Sequence, residues 1–278
     1  METIKLSNGV EMPLLGFGVW RISPDECERC VSDALSVGYR SIDTAQIYMN
    51  EEGVGLAIEK SGIKRNELFI TTKVWITNAG EERAARSIDE SLRKLRTDYV
   101  DLLLVHQPFG DYYGTYRAMV RALHEGKTRA IGVSNFAPDR FVDIAENVDI
   151  APMVNQIRTN VLCQQHEAEA VMQTYGAKIT AWAPLAQAAD SLFRDPLLAA
   201  IANHHGKTTA QVALRYLIQR GIVAIPKSTH IERMRENFDI FDFELSADEM
   251  GAIAMLDHPA DCSAMHRDPA QVKRIIHL

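Results

Sequence analysis

The run Val100–His106, which reads VDLLLVH, decides the fold class. It is apolar except at Asp101 and its final histidine, a composition typical of parallel strands that are buried on both faces. Similar runs recur on both sides of it at comparable intervals, with one wider gap before the last. The eight runs are Leu14–Gly18, Tyr39–Asp43, Leu68–Lys73, Val100–His106, Arg129–Ser134, Pro152–Gln156, Lys178–Trp182 and Ile222–Lys227.

Segments with the periodicity of amphipathic helices separate these runs. The first begins at Ser23 and Pro24, a typical N-cap and first-turn pair, and ends at Gly38. The others are Glu52–Lys60, Glu81–Leu95, Tyr116–Glu125, Pro138–Glu146, Gln165–Tyr175, Thr209–Arg220 and Ile231–Asn237, with extra helices at Pro196–His204 and Ala247–Leu256. Asn8-Gly9 predicts a hairpin at the start of the chain.

Eight strand–helix units in 278 residues predict an α/β fold, a (β/α)8 TIM barrel with an N-terminal β-hairpin and extra helices. We expect residues 1–278 to form a single domain, because no linker rich in Pro, Gly or Ser divides the chain. A doubly wound open sheet is the alternative architecture.

The composition narrows the class of protein further. Hydrophobic residues make up 46% and charged residues 24%, which excludes disorder and collagen, and the net charge of −7 argues against nucleic-acid binding. No apolar stretch reaches the length of a membrane span, and the first residues lack the layout of a signal peptide. Cys27 and Cys30 form one Cys-x-x-Cys without a second pair, so we expect packed side chains on a helix. These features predict a cytoplasmic protein without a membrane partner.

Polar side chains end most of the predicted strands. The carboxyl ends of the strands form one rim of a barrel, and active sites lie there. We therefore expect function at this rim. The rim residues are Asp43, Lys73, His106, Ser134, Asn135, Asn155, Gln156, Trp182, Lys227 and Ser228.

Four residues near this rim have complementary chemistry. Lys73 ends a buried strand, so it needs a partner, and Asp43 is the nearest candidate. The Lys73 ammonium beside the Tyr48 phenol would lower the pKa of the phenol from about 10 and suit Tyr48 to act as a general acid. His106 could orient a carbonyl oxygen by hydrogen bonding. Structural roles for each residue taken singly remain the alternative.

The segment Ile225–Arg233 (IPKSTHIER) ends the last strand and begins a helix. Ser228 and Thr229 can cap that helix, and the free N–H groups of a helix start bind anions. Lys227 and Arg233 add positive charge, which predicts a phosphate site. An ordinary capped helix is the alternative.

Motifs of other enzyme classes are incomplete. Gly16–Arg21 and Gly53–Ile58 each lack the third glycine of a Rossmann fingerprint, and Gly132–Phe136 misses the last residue of a nucleophile elbow. His166-Glu167 lacks the second histidine of a zincin. The nine histidines show no metal-ligand spacing, so no metal is expected.

Five stretches together resemble the aldo-keto reductase family. They are Asp43–Glu51 (DTAQIYMNE), Thr71–Trp75 (TTKVW), Asp101–His106 (DLLLVH), Ile131–Phe136 (IGVSNF) and Ile225–Ser228 (IPKS). The chain length and the stretch His106–Asp111 (HQPFGD) are similar to the short bacterial and protozoan members. Those members include 2,5-diketogluconate, methylglyoxal and prostaglandin F reductases.

The resemblance implies an NADPH-dependent oxidoreductase that reduces aldehydes and ketones to alcohols. The pro-R hydride would pass to the carbonyl carbon, with Tyr48 as proton donor, Lys73 and Asp43 tuning it and His106 orienting the carbonyl. Trp182 stands where the family usually has a tyrosine, and Ala183 replaces the customary serine. The implied cofactor contacts are Gly18, Val19, Trp20, Asp43, Ser134, Asn135, Gln156, Trp182, Leu185, Lys227, Ser228, Thr229, Arg233, Glu236 and Asn237.

The same resemblance implies a small-molecule carbonyl substrate and a monomer. The tail after Asp257 should add a lid, to which His266 or Arg267 could contribute. Two other functions remain open: a nonenzymatic regulatory subunit that binds NADPH, and a barrel hydrolase with paired carboxylates. The implied substrate contacts are Trp20, Tyr48, Trp75, His106, Gln107 and Phe109.

Overall fold

The computed structural model describes residues 2–258, 262 and 268–277. A two-stranded antiparallel hairpin, β1 (Thr3–Lys5) and β2 (Glu11–Pro13), opens the chain as predicted. The Asn8 side-chain amide donates a hydrogen bond to the carbonyl oxygen of Arg129, near the start of a barrel strand (2.8 Å). The hairpin therefore lies at the amino-terminal end of the barrel, away from the rim where function is expected.

Eight parallel strands form one continuous sheet in chain order. A parallel bridge between Leu15 and Ala224 joins the first strand to the last, and the Gly16 N–H donates to the Ala224 carbonyl (2.9 Å). These bonds close the sheet into a barrel. The strands are β3 (Phe17–Gly18), β4 (Ser41–Asp43), β5 (Phe69–Val74), β6 (Val100–Val105), β7 (Thr128–Ser134), β8 (Val154–Arg158), β9 (Lys178–Trp182) and β10 (Val223–Ala224).

Helices cover the outside of this sheet, and their apolar faces and the strands form one hydrophobic core. They are α1 (Pro24–Val37), α2 (Glu51–Lys60), α3 (Glu81–Leu95), α4 (Tyr112–His124), α5 (Pro138–Glu146), α6 (His166–Thr174), α7 (Asp190–Phe193), α8 (Pro196–His205), α9 (Thr209–Gln219), α10 (Ile231–Phe238), α11 (Ala247–Ala254) and α12 (Pro269–Ile276). The predicted (β/α)8 barrel with an N-terminal hairpin and extra helices is confirmed.

Several predicted boundaries differ from the structure, two of them for identifiable reasons. Helix α4 begins four residues before the expected Tyr116, because the Asp111 carboxylate caps it by accepting a hydrogen bond from the Gly114 N–H (2.8 Å). Strand β10 ends at Ala224 rather than Lys227. Pro226 has no N–H to donate to a neighbouring strand, so Lys227 and Ser228 lie in the following loop.

The cysteines fall into two pairs. Cys27 and Cys30 are free, buried and one turn apart on α1, as predicted. Cys163 and Cys262 form a disulfide across a sequence separation of 99, which the sequence did not indicate. It attaches the carboxyl-terminal segment to the loop after β8. Within the described part of the chain, no helix combines the length and the apolar character that a bilayer crossing requires.

Candidate active site

Three side chains meet at the carboxyl ends of β4 and β5. Lys73 is fully buried, and its ammonium donates hydrogen bonds to Asp43 Oδ1 (2.5 Å) and to the Thr44 carbonyl (2.8 Å). The same Nζ lies 3.4 Å from the Tyr48 hydroxyl. The buried ammonium is thus neutralised by one carboxylate and aimed at one phenol, as the sequence predicted.

Burial and charge act on these groups in opposite directions. Burial would lower the pKa of Lys73, but the Asp43 carboxylate raises it above its ordinary value, so the ammonium stays charged. Burial raises the pKa of Tyr48, and the Lys73 charge opposes that rise without reversing it. The predicted lowering of the Tyr48 pKa is therefore wrong for the protein without ligand, because desolvation of the phenolate outweighs the lysine. At neutral pH Tyr48 carries its proton.

His106 lies beside this group. Its ring packs edge-on against the Tyr48 ring (centroids 5.6 Å apart) and against the indole of Trp75 (5.0 Å). The backbone N–H of His106 donates a hydrogen bond to the Val74 carbonyl (3.1 Å), which fixes the position of His106 directly after β6. Tyr48, His106 and Trp75 therefore form one wall, with polar groups of the first two next to an apolar surface.

Gln107 and Phe109 follow His106 in the loop after β6. Gln107 is buried, and within the described part of the chain its side-chain oxygen has no hydrogen-bond partner. The Phe109 N–H donates to the Gln107 carbonyl (2.8 Å), which makes a tight turn after the strand. Trp20, in contrast, is 42% exposed and stacks against the Arg21 guanidinium (4.2 Å).

A chain of hydrogen bonds links the ends of β7, β8 and β9. The indole N–H of Trp182 donates to Asn135 Oδ1 (2.9 Å), and the Asn135 amide donates to the His106 carbonyl (3.1 Å). Ser134 Oγ donates to the Gln156 backbone carbonyl (2.8 Å). Asn135 has a left-handed φ of 65°, a conformation that asparagine tolerates better than most residues. The predicted group Ser134, Asn135 and Trp182 is thus brought together.

Gln156 occupies a position that the sequence did not predict. It lies inside β8 rather than at its end, and its amide donates to Asp43 Oδ2 (2.7 Å). Asp43 therefore accepts from Lys73 on one oxygen and from Gln156 on the other. This bond connects the acid–base group on β4 and β5 with the polar group on β7 and β8.

Backbone contacts place the remaining residues of the first strand and of the loop after β9. The Gly18 N–H donates to the Pro226 carbonyl (3.0 Å), and a Cβ at Gly18 would stand 3.2 Å from the Ile225 carbonyl oxygen. The Val19 N–H donates to the Asp43 carbonyl (3.1 Å). Leu185 is half-buried after β9 and precedes a turn of three residues, Ala186–Ala188, with left-handed φ. Glycine at position 18 therefore permits the close approach of β3 to the segment before Lys227.

The predicted phosphate segment is cationic and open. Lys227 and Arg233 are exposed, and within residues 2–258 neither forms a salt bridge with a carboxylate. Ser228 does not cap α10 as expected. Its hydroxyl accepts a hydrogen bond from the His230 N–H (3.0 Å), and His230 occupies the N-cap position without a side-chain cap. The N–H groups of the first turn of α10 thus have no side-chain acceptor there.

The other predicted cofactor contacts near the phosphate segment differ in whether their polar groups are already hydrogen-bonded within the protein. The Thr229 carbonyl accepts from the Arg29 guanidinium (3.4 Å), which ties the loop to α1. Glu236 accepts a hydrogen bond from Thr208 Oγ1 (2.7 Å), so one carboxylate oxygen is engaged. Asn237 is buried on α10, one turn beyond Arg233. His266 and Arg267, predicted for the lid, lie outside the described residues.

Two positioning residues were missed by the sequence reasoning. Gln46 Oε1 accepts from the Trp75 N–H (2.9 Å) and from the Asn78 amide (2.9 Å). The Asn50 amide donates to the Val19 carbonyl (3.0 Å) and holds the loop after β3. Both lie inside Asp43–Glu51. The signal available in the sequence was the presence of two amide side chains next to predicted buried strands.

Comparison with known proteins agrees with this geometry. Residues 14–258 match the model of the aldo/keto reductase family. The chain is 45% identical to the glyoxal reductase of Bacillus subtilis (strain 168) over 92% of this chain and 93% of that protein. It is 44% identical to the methylglyoxal reductase DkgA of Yersinia pestis, over 91% and 92%. The crystal structure of a Bombyx mori aldo-keto reductase in complex with NADP superposes with a TM-score of 0.88, at 36% identity and 92% coverage of both chains.

The closed eight-stranded barrel with this group of side chains at its carboxyl rim defines an oxidoreductase of the barrel type, rather than one with the open sheet of a Rossmann fold. The chain belongs to the aldo/keto reductase family. The resemblance read from the five stretches is confirmed, as are the enzyme class and the reduction of small carbonyl compounds. The predicted cofactor agrees with the NADP held by the Bombyx mori relative.

Proposed function

We propose that this protein uses NADPH to reduce the carbonyl group of small aldehydes and ketones, with Tyr48 as the proton donor. The observation that carries the proposal is the arrangement of Asp43, Lys73 and Tyr48: a buried carboxylate, a buried ammonium and a phenol 3.4 Å from it. When bound, NADPH supplies the hydride. The chain must then deliver one proton to the carbonyl oxygen.

Each residue of this group has one task. Tyr48 is protonated at neutral pH, because the ordinary pKa of a phenol is about 10 and burial raises that of Tyr48 further, so it has a proton to donate. As the proton leaves, the phenolate gains the stabilising charge of Lys73, whose own proton is held in place by Asp43. The His106 ring lies beside the Tyr48 ring and can orient the carbonyl oxygen toward the hydroxyl. General acid catalysis of this kind contributes about 10²–10⁴-fold to a rate.

The residues at two separate places fit the two ends of NADPH. Ser134, Asn135 and Trp182 form the hydrogen-bonded group next to His106, where the nicotinamide would lie on the Trp182 side. Within residues 2–258, Lys227 and Arg233 lack carboxylate partners and the first turn of α10 has no side-chain cap. These cations would hold the 2′-phosphate. We propose that the remaining predicted contact residues bind the part of NADPH between these two ends.

The pocket wall favours small, polar carbonyl compounds. The buried Trp75 and the half-buried Phe109 would supply apolar surface, and the buried Gln107 amide would supply a polar group. Similar relatives are named glyoxal and methylglyoxal reductases. We therefore propose that 2-oxoaldehydes are the preferred substrates, with the second carbonyl oxygen accepting a hydrogen bond from the side-chain N–H of Gln107.

The alternative functions are less well supported. A hydrolase needs a second carboxylate near Asp43, but Asp101 lies at the opposite end of β6 and is neutralised by Arg65 (2.8 Å) and Arg129 (2.7 Å). A nonenzymatic regulatory subunit would not need an intact proton donor beside its lysine.

The overall assembly follows as part of the same proposal. Because the strands from Phe17 to Ala224 belong to one closed sheet, we propose that residues 1–278 form one domain. We propose that it acts as a monomer in the cytoplasm. Disulfides are rare in the cytoplasm, so thiol trapping in rapidly quenched cell extracts should find Cys163 and Cys262 reduced if the protein is cytoplasmic, and paired as in the structure if it is not.

The direct test of the reaction uses the purified protein. We expect it to consume NADPH when methylglyoxal or glyoxal is added, and to form one molecule of alcohol product for each NADPH consumed. A panel of simple aldehydes, ketones and dicarbonyls, compared by kcat/KM, then tests the substrate class. NADPH binding without consumption on any of them would indicate a regulatory subunit, and cleavage of an aryl glycoside in the absence of NADPH would indicate a hydrolase.

A further inference from the structure

A cluster of two imidazoles and a carboxylate lies outside the reductase site. His204 and His205 are the last two residues of α8, and Glu249 lies in the first turn of α11. His204 Nδ1 stands 3.1 Å from Glu249 Oε1, and His205 Nε2 stands 2.9 Å and 3.1 Å from the two Glu249 oxygens. None of the three residues has a part in the proposed carbonyl reduction.

The spacing of these atoms suits a tetrahedral metal ion. Zinc bonds to nitrogen and oxygen at about 2.0–2.1 Å, so neighbouring ligand atoms around it are about 3.3 Å apart. The three histidine–carboxylate distances are only slightly shorter, and the candidate ligand atoms of all three residues lie within 4.8 Å of one another. A small movement of the exposed His204 ring would make room for the ion. Three protein ligands would leave a fourth position for water.

Two of the three ligands are already held in place. The Glu249 carboxylate accepts a hydrogen bond from the Ser246 N–H (2.8 Å) in a capping box, and the His205 ring packs against Phe243 (centroids 5.2 Å). Their side chains are 14% and 16% exposed, whereas His204 is 75% exposed. An ion would thus meet a partly preformed site that is open on one side.

The local charge also favours a cation. Glu249 has no salt bridge with a lysine or arginine among the described residues. The Glu249 carboxylate accepts a hydrogen bond from the Ser246 N–H and lies within hydrogen-bond distance of both imidazoles, so its oxygens face the position proposed for the ion. The carbonyl end of α8 adds further negative potential at His204 and His205.

We propose that His204, His205 and Glu249 form a binding site for a divalent zinc-like cation that joins α8 to α11. Two imidazoles with one carboxylate are donors that suit zinc among the common divalent ions, whereas calcium and magnesium prefer oxygen. Spacing in the sequence did not reveal this site, because Glu249 is 44 residues from His205. It depends on folding, so bound zinc should stabilise the folded protein.

The test is a calorimetric titration of ZnCl2 into tag-free, chelator-treated protein at neutral pH. We expect saturable binding of one ion, and a rise in Tm with zinc concentration. His205→Ala and Glu249→Gln should each weaken binding by at least about tenfold, since even residues supporting a ligand change affinity 10–100-fold. Glu249→Gln keeps the capping box, because glutamine serves at that position.

His124→Ala is the matched control, because His124 is exposed and lies in the last turn of another helix, α4. It should bind zinc as the wild type does. Absence of saturable binding to the wild type would overturn the proposal. So would undiminished binding by both His205→Ala and Glu249→Gln, since the ion would then occupy another site. The free cysteines do not compete in the folded protein, because Cys27 and Cys30 are buried.

Discussion

The cationic segment after β10 should decide which nicotinamide cofactor binds. Arg233 is exposed on the first turn of α10 and, within residues 2–258, has no carboxylate partner that would have to be displaced. A charge-assisted hydrogen bond contributes about 1.5–3 kcal/mol. The exposed position favours the lower end of that range, since solvent and salt screen it. Arg233→Ala should therefore weaken NADPH by about tenfold or somewhat more, at about 1.4 kcal/mol per decade.

NADH lacks the 2′-phosphate, so its affinity should change little in the same variant. Titration of both cofactors with tryptophan fluorescence as the readout measures the two effects. Arg235→Ala is the matched control, since Arg235 is exposed on the same helix two residues further on. The loss for NADPH should shrink as salt rises. Equal losses for NADPH and NADH would refute the reasoning and would mean that Arg233 supports the loop.

Three further outcomes follow from the site and the fold. Lys73→Met should reduce kcat sharply, while fluorescence titration should show that NADPH still binds. The double variant Lys73→Met with Asp43→Asn also removes the carboxylate that would otherwise be left as a buried unpaired charge. Normal activity in either variant would exclude Lys73 from the proton transfer. Because burial raises the pKa of Tyr48, kcat/KM for reduction, which reports the groups before the carbonyl compound binds, should stay constant from neutral pH to about 9; a decline with a lower apparent pKa would contradict a protonated donor. Unreduced protein denatured in urea should show two reactive thiols out of four, since Cys163 and Cys262 are paired; four would disprove the disulfide.

The elements with strong local signals could be predicted from the sequence. Helix α5 begins at Pro138 and ends at Glu146 as expected, because proline at the first position fixes its start. Strand β9 has the predicted bounds Lys178–Trp182. The pairing of Asp43 with Lys73 was predictable as well, since a buried ammonium at a strand end requires a carboxylate on a neighbouring strand.

Features that depend on the tertiary arrangement could not be predicted. The bond from Gln156 to Asp43 joins opposite sides of the barrel across a sequence separation of 113. The Cys163–Cys262 pair and the contact between His205 and Glu249 likewise join distant segments without a spacing motif. The direction of the Tyr48 pKa was wrong because the sequence shows the nearby lysine but not the depth of burial.

The proton donor is the central claim, and Tyr48→Phe tests it most directly. The substitution keeps the ring and its packing against His106 and removes only the hydroxyl that faces Lys73. NADPH affinity should therefore be unchanged, while kcat for a 2-oxoaldehyde should fall by about 10²–10⁴-fold. Steady-state turnover measured beside cofactor titration gives both values. A variant that keeps more than about a tenth of the wild-type kcat, a loss below that range, would contradict the account.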